Sequence, residues 1–180
     1  HCKGDQKAFG EIVNRYGDSV LGYLIKMTGD KEHAEDLFQE TFKRVHEKSH
    51  TFKGTEFKSW LFKIATNVTY DGFRKKHREE TKSLKVNYSN EDGEDMISTT
   101  AAYNSFNPSV ATVKAEQVEQ VRQAVESLPD KQKAALVLTY YQQLSYREVA
   151  IALDCSIGTV KTQMYRALKT LAQKLPEVEL

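Results

Sequence analysis

His46-Glu47-Lys48-Ser49-His50 carries residue types that could do hydrolytic chemistry. Two histidines one helical turn apart can share a zinc ion, and the glutamate beside the first can activate the metal-bound water. Lys48 and Ser49 suit solvent rather than the buried helix such a site needs. The third ligand would have to come from His77, Glu79 or Glu80, chosen on chain position alone. A zinc peptidase is therefore a remote alternative. The two histidines read better as helix-end and loop residues, where imidazole complements the C-terminal carbonyl dipoles. No metal, cofactor or catalytic residue is expected.

A second chemistry is more specific. In Leu144–Leu171, "LSYREVAIALDCSIGTVKTQMYRALKTL", Ser145-Tyr146-Arg147-Glu148 is a capping box that opens a short helix. Asp154-Cys155-Ser156 makes a tight turn, and Ser156 caps the next helix. Ala150 is small where two helices must cross, and Val149, Leu153, Val160 and Met164 supply the apolar contact between them. This is a helix-turn-helix, whose second helix would expose Lys161, Thr162, Tyr165, Arg166 and Lys169. Cations, a hydroxyl and an aromatic in that array suit phosphates and major-groove base edges.

The rest of the chain must position that surface. Asp5 can cap a helix with Phe9, Ile12, Val13, Tyr16, Val20, Leu24 and Met27 on its apolar face, broken at Thr28-Gly29-Asp30. Asp30 caps a second helix that buries Ala34, Leu37, Phe38, Thr41, Phe42 and Val45 and presents Asp36, Gln39, Glu40, Lys43 and Glu47 on its other face. Phe52-Lys53-Gly54 is a loop, and Thr55 is the expected cap of a third helix burying Phe57, Trp60, Leu61, Ile64, Val68 and Phe73. From Glu79 to Phe106 the period fails, which predicts a flexible linker. Helix resumes at Asn107-Pro108, with Val110, Val113, Val118, Val121, Val125 and Leu128 inward. Another helix is expected from Leu128-Pro129-Asp130 through Tyr141, then two short ones. The reading is all-α, two small helical domains at 1–78 and 107–180 joined by a flexible linker at 79–106.

Composition narrows the class. The 180 residues are 39% hydrophobic, enough for modest cores. No apolar run is long enough to span a membrane, and nothing at the start resembles a signal peptide. Cys2 and Cys155 are too few and too far apart for a disulfide framework, so the cytoplasm is the expected compartment. The net charge of +1 is weak for a protein that binds DNA unaided. Its distribution is uneven, with a basic run at Arg74–Arg78 and an acidic one at Glu91–Asp95.

The helix-turn-helix stretch resembles the part of bacterial sigma factors that reads the −35 promoter element, and also the output domain of LuxR-type regulators. Asp154 stands where both usually have glycine. The first domain separates the two. "AEDLFQETF" (Ala34 to Phe42) and "TFKGTEFKSWLFKIATNVTYDGFRKK" (Thr51 to Lys76) resemble region 2 of the extracytoplasmic-function (ECF) sigma factors, with a slightly shorter loop before Phe57.

That resemblance implies a transcription initiation factor without enzymatic chemistry. Asp36, Gln39 and Glu40 match positions that dock on the coiled coil of the largest subunit of RNA polymerase, and the polymerase flap is a further contact. His50, Phe52, Lys53, Gly54, Lys63, Asn67, Asp71, Arg74 and Lys75 match positions that hold the −10 element as a single strand. Ser156 and Thr159 join Lys161, Thr162, Tyr165, Arg166 and Lys169 as −35 contacts. The linker would thread toward the RNA exit path, its acidic residues occupying surfaces meant for nucleic acid. The implied partners are core polymerase, promoter DNA and an anti-sigma protein, with no membrane contact. The rival is a LuxR-like regulator that binds an operator without joining polymerase.

Overall fold

The computed structural model describes residues 6–87 and 110–175. It consists of α1 (Gln6–Thr28), α2 (Lys31–Lys48), α3 (Phe57–Asn87), α4 (Val110–Glu126), α5 (Asp130–Leu136), α6 (Tyr146–Ala152) and α7 (Ile157–Lys174). A 3-10 turn (Ser49–Thr51) follows α2, and one turn of π-helix (Val137–Tyr141) follows α5. No strand occurs among the described residues.

Local chemistry explains most of the boundaries. Gly29 ends α1 with φ at 71°, a left-handed backbone that suits glycine. The Asp30 side chain then accepts from the amides of Glu32 and His33 and so caps α2. The α3 cap falls at Glu56, whose carbonyl accepts from the Trp60 amide. Thr55, the expected cap, lies one residue outside. Further along, α3 runs to Asn87 through the start of the expected linker. That stretch holds neither glycine nor proline, and a Lys75–Glu79 pair and a Thr81 bond to the His77 carbonyl add local support.

The α1 stripe buries Val20, Leu24 and Met27 as its spacing predicts, together with Tyr23. The Tyr23 ring meets Phe62 edge to face at 5.4 Å, and its hydroxyl shares a hydrogen bond of 2.8 Å with Thr66. Burial raises the Tyr23 pKa well above the usual phenol range. On the other side of α3, a Cβ added at Gly72 would come within 3.1 Å of Leu37 Cδ2, so glycine lets α2 and α3 approach closely.

In the second half, Val125 and Leu128 are buried as expected, whereas Val118 is exposed. Val118 lies on the turn of α4 occupied by Glu116, Gln117, Glu119 and Gln120, where the acidic and amide side chains prefer water. The last helix is longer than predicted, because Ala167 and Leu171 continue the buried stripe set by Val160 and Met164. The two halves share a core. Helix α3 packs along α6, and α1 meets α5 and the π turn.

Candidate nucleic-acid interface

The helix-turn-helix forms as its residues dictate. The Ser145 side chain accepts from the Glu148 amide, and the Glu148 carboxylate accepts from both the Ser145 amide and hydroxyl. These bonds lower the Glu148 pKa, the Ser145 side chain having the largest effect. Helix α6 ends in a Schellman motif, with the Cys155 amide donating to the Ala150 carbonyl and the Asp154 amide to the Ile151 carbonyl. Asp154 takes φ of 52°, the left-handed conformation that glycine would adopt more cheaply. Ser156 then caps α7 by accepting from the Thr159 amide at 3.0 Å.

Val160, Met164, Ala167 and Leu171 pin one face of α7 to the core. The opposite face presents Thr159, Lys161, Thr162, Arg166 and Lys169 to solvent, with Tyr165 67% exposed. Thr162 spends its proton on the Gly158 carbonyl, leaving its oxygen lone pairs outward. This surface can neutralise phosphates and reach base edges together.

The structure disperses the residues matched to the −10 element. His50 is exposed in the 3-10 turn beyond the end of α2, so His46 and His50 lack the continuous helix that the zinc pattern requires. The Phe52 ring packs against Phe57 and Trp60, each at 5.4 Å, and forms the edge of an aromatic cluster. Trp60 is half-buried against the core, as its spacing suggests. Lys53 and Gly54 are exposed at the bend. Along α3, Asn67, Asp71, Arg74 and Lys75 face solvent, while Lys63 reaches Asp154 of the helix-turn-helix at 2.7 Å.

On α2, Asp36 and Gln39 are exposed and Glu40 is partly covered. Arg44, which sequence reasoning missed, joins this face to α3. Its Nε donates to Glu40 Oε1 at 2.8 Å and its Nη1 to Asp71 Oδ2 at 2.9 Å. These bonds raise the Arg44 pKa, with Asp71 contributing most, and the bond from Arg44 is the main cause of the lowered Glu40 pKa. Asp36, Glu40, Arg44 and Asp71 line a groove of about 660 Å³ between α2 and α3. Residues matched to polymerase docking and to the −10 strand are thus coupled through one arginine. The signal available in sequence was the Glu40-to-Arg44 spacing, an i,i+4 pair. Nothing in sequence placed Asp71 beside it.

The acidic run Glu91–Asp95, the Asn107-Pro108 helix start and the Asp5 cap lie outside the described residues. The side chains of Val110 and Val113 do as well.

Two family models match the chain, "Sigma-70 region 2" over residues 12–79 and "Sigma-70, region 4" over residues 118–171. The chain is 34% identical over 177 residues to the ECF RNA polymerase sigma factor SigW of Bacillus subtilis, covering 98% of this chain and 93% of that one. To SigM of the same organism it is 32% identical over 161 residues, with 89% and 91% covered. Among solved structures, the sigma factor RpoE of Bartonella quintana, in complex with the anti-sigma factor NepR, matches with a TM-score of 0.72 and 26% identity over 96% of this chain and 99% of that one. CnrH, in complex with the cytosolic domain of CnrY, shares the fold at a TM-score of 0.67 and 21% identity.

Proposed function

The chain belongs to the ECF sigma factors, and from that membership we propose how its residues divide the work of transcription initiation. It binds core RNA polymerase, recognises the −35 and −10 promoter elements and helps to open the promoter. It acts by binding rather than by catalysis.

The capped helix-turn-helix with its exposed cationic α7 face carries this reading. Lys161, Thr162, Tyr165, Arg166 and Lys169 enter the −35 major groove, with Ser156 and Thr159 at the amino end of the helix against the backbone. Asp36, Gln39 and Glu40 meet the polymerase coiled coil. Asn67, Arg74 and Lys75 track the phosphates of the melted −10 strand, and His50, Lys53 and Gly54 line its entry. Phe52 acts as a wall of the aromatic cluster rather than as a freely moving wedge.

The complex of RpoE with the anti-sigma factor NepR supports an anti-sigma protein as a regulator here too. Among the described residues no helix is long and apolar enough to cross a membrane, and we place the protein in the cytoplasm with polymerase.

The direct test is transcription by purified bacterial core polymerase from a random promoter library, with and without this chain. Specific transcripts that depend on the chain, and that vanish with Asp36→Lys/Gln39→Lys, are expected. A chain that shifts duplex DNA alone yet yields no transcript would sink the proposal and favour an operator-binding regulator.

A further inference from the structure

We propose that Gly158 and Thr162 form a close-approach slot on α7 that reads the exocyclic amino group of one base in the major groove, adenine N6 or cytosine N4. The inference deepens the −35 assignment above and rests on it.

Nothing in the fold calls for glycine at 158. The residue lies in the first turn of α7, with helical backbone and no positive φ. A Cβ built there would meet only Ser156 Oγ, at an ordinary 3.6 Å. Alanine would therefore fit, and it forms helix more readily than glycine, which gives up more chain entropy on folding. What glycine does here is leave the backbone bare on the reading face. Gly158, Thr162, Tyr165 and Lys169 follow the three-four spacing along the side opposite Val160, Met164, Ala167 and Leu171, and all four are exposed. Gly158 thus sits on the midline of the surface that meets the groove, where the absence of a side chain lets backbone come close to a ligand.

Thr162 stands one turn further on. Its Oγ1 donates to the Gly158 carbonyl at 3.0 Å. A hydroxyl has one proton and two acceptor lone pairs, so with the proton committed Thr162 offers acceptors alone. The neighbouring hydroxyls serve the cap instead, because Ser156 Oγ accepts from the Thr159 amide at 3.0 Å and lies 2.9 Å from Thr159 Oγ1. Lys161, Arg166 and Lys169 carry donors only. Thr162 is therefore the acceptor placed among the cations of this face.

That chemistry selects its base. In the major groove the donors are adenine N6 and cytosine N4, whereas guanine presents N7 and O6 and thymine O4, which would face the Thr162 oxygen lone pair to lone pair. The bond needs a separation of about 3 Å. Because the hydroxyl is carried on a single carbon, it reaches a base edge only when the helix backbone comes close, which links the reader to the glycine. A methyl group at 158 would stand out by about 1.5 Å, the length of a carbon–carbon bond, and hold the slot off the base. The long side chains of Lys161 and Arg166 would still follow the phosphates.

The test couples a protein atom to a DNA atom. A −35 sequence is first selected from a random promoter library with the full chain and core polymerase. Amino groups are then deleted one at a time across that duplex, with purine in place of adenine and 2-pyrimidinone in place of cytosine, and binding of the full chain to each duplex is measured. At one position the deletion should weaken binding by the unaltered chain about fivefold, the worth of one neutral hydrogen bond. Thr162→Val, which keeps the shape and removes the oxygen, should be blind to the same deletion. Gly158→Ala should also be blind to it and bind the intact duplex about fivefold less tightly, with a Tm equal to or above the parent's. Gly22→Ala, on α1 and likewise open around its Cβ, should match that Tm effect and leave duplex binding unchanged. A Thr162→Val chain as sensitive as the parent to every deletion overturns the slot, as does a parent that no deletion weakens, or a Gly158→Ala chain that binds and reads the amino group as before. If the unaltered chain with core polymerase yields no specific transcript, the sigma-factor reading fails and takes the slot with it.

Discussion

Replacing Arg44 with methionine keeps most of the aliphatic stem and removes the charge that ties α2 to α3. Arg44 is 28% exposed, Glu40 37% and Asp71 49%, so both ion pairs sit at the wet edge of the groove. Each contributes about 0.5–1 kcal/mol, the upper part of the range for exposed pairs, because the contacts of 2.8 and 2.9 Å are charge-assisted hydrogen bonds. Loss of both costs about 1–2 kcal/mol, which for a chain of this size lowers Tm by roughly 3–6 °C. Higher salt should shrink the difference, since the Debye length falls to about 3 Å at 1 M. The same change frees Glu40 from its shortest partner, leaving Lys43 at 3.7 Å and Arg74 on Asp71 at 3.2 Å, so the docking face loses its fixed geometry and affinity for core polymerase should fall about tenfold, equivalent to about 1.4 kcal/mol. A double-mutant cycle of Arg44→Met with Asp71→Asn, followed by urea unfolding, isolates the cross-helix bond, with an expected coupling of about 1 kcal/mol. Strict additivity would refute the bridge. A Tm loss with unchanged polymerase affinity would refute its link to docking.

Tyr23→Phe should cost about 1–2 kcal/mol in urea unfolding because it strands the buried Thr66 hydroxyl, and adding Thr66→Val should recover part of that loss. Ser156→Ala removes the α7 cap and should cost about 1 kcal/mol, seen as a lower Tm and weaker binding to −35 duplex. Glu148 has a lowered folded pKa, so its contribution is complete above the ordinary value of 4.5 and is lost as pH falls through the folded one. Melting curves of Glu148→Gln and the parent should therefore converge as the solution is acidified through that lowered folded pKa. Lys161→Ala, if Lys161 meets phosphate, should reduce the salt slope of duplex binding by about one counterion, whereas Arg166→Ala should relax base preference if Arg166 reads an edge.

The helices and caps that depend on near neighbours were legible in the sequence. Asp30, Ser145 and Ser156 are capping chemistry two or three residues long, and each forms as read. The apolar stripes of α1 and α2 obey a period that survives into the fold. What escaped depends on contacts distant in the chain. Tyr23 has a polar tip that made its burial ambiguous until Thr66, 43 residues away, supplied the partner. Phe62 stands beside Leu61, and a single amphipathic face could not accommodate both. Both are buried because α3 is covered on more than one side. The Arg44–Asp71 bridge and the Lys63–Asp154 contact span 27 and 91 residues, beyond the reach of any local pattern.

The near-zero net charge, weak as a sign of DNA binding, results from segregation by helix. Among its residues α3 holds eight lysines and arginines against three acids, and α7 holds four against none. The face of α2 with Asp36, Gln39 and Glu40 sets Lys43 among three acids, counting Glu47, and α4 carries acidic residues at 116, 119 and 126. A field felt by phosphates depends on the charges within about 10 Å, the Debye length at 0.1 M salt, and not on the total. Helix α7 therefore attracts duplex locally while the rest of the surface adds little long-range steering. Weak binding by the free chain follows from the same arithmetic, since few counterions are released by one short cationic face. On the proposed division of work, a second nucleic-acid contact through α3, once polymerase holds the two units at fixed spacing, would convert two weak contacts into one strong one, because each raises the effective concentration of the other.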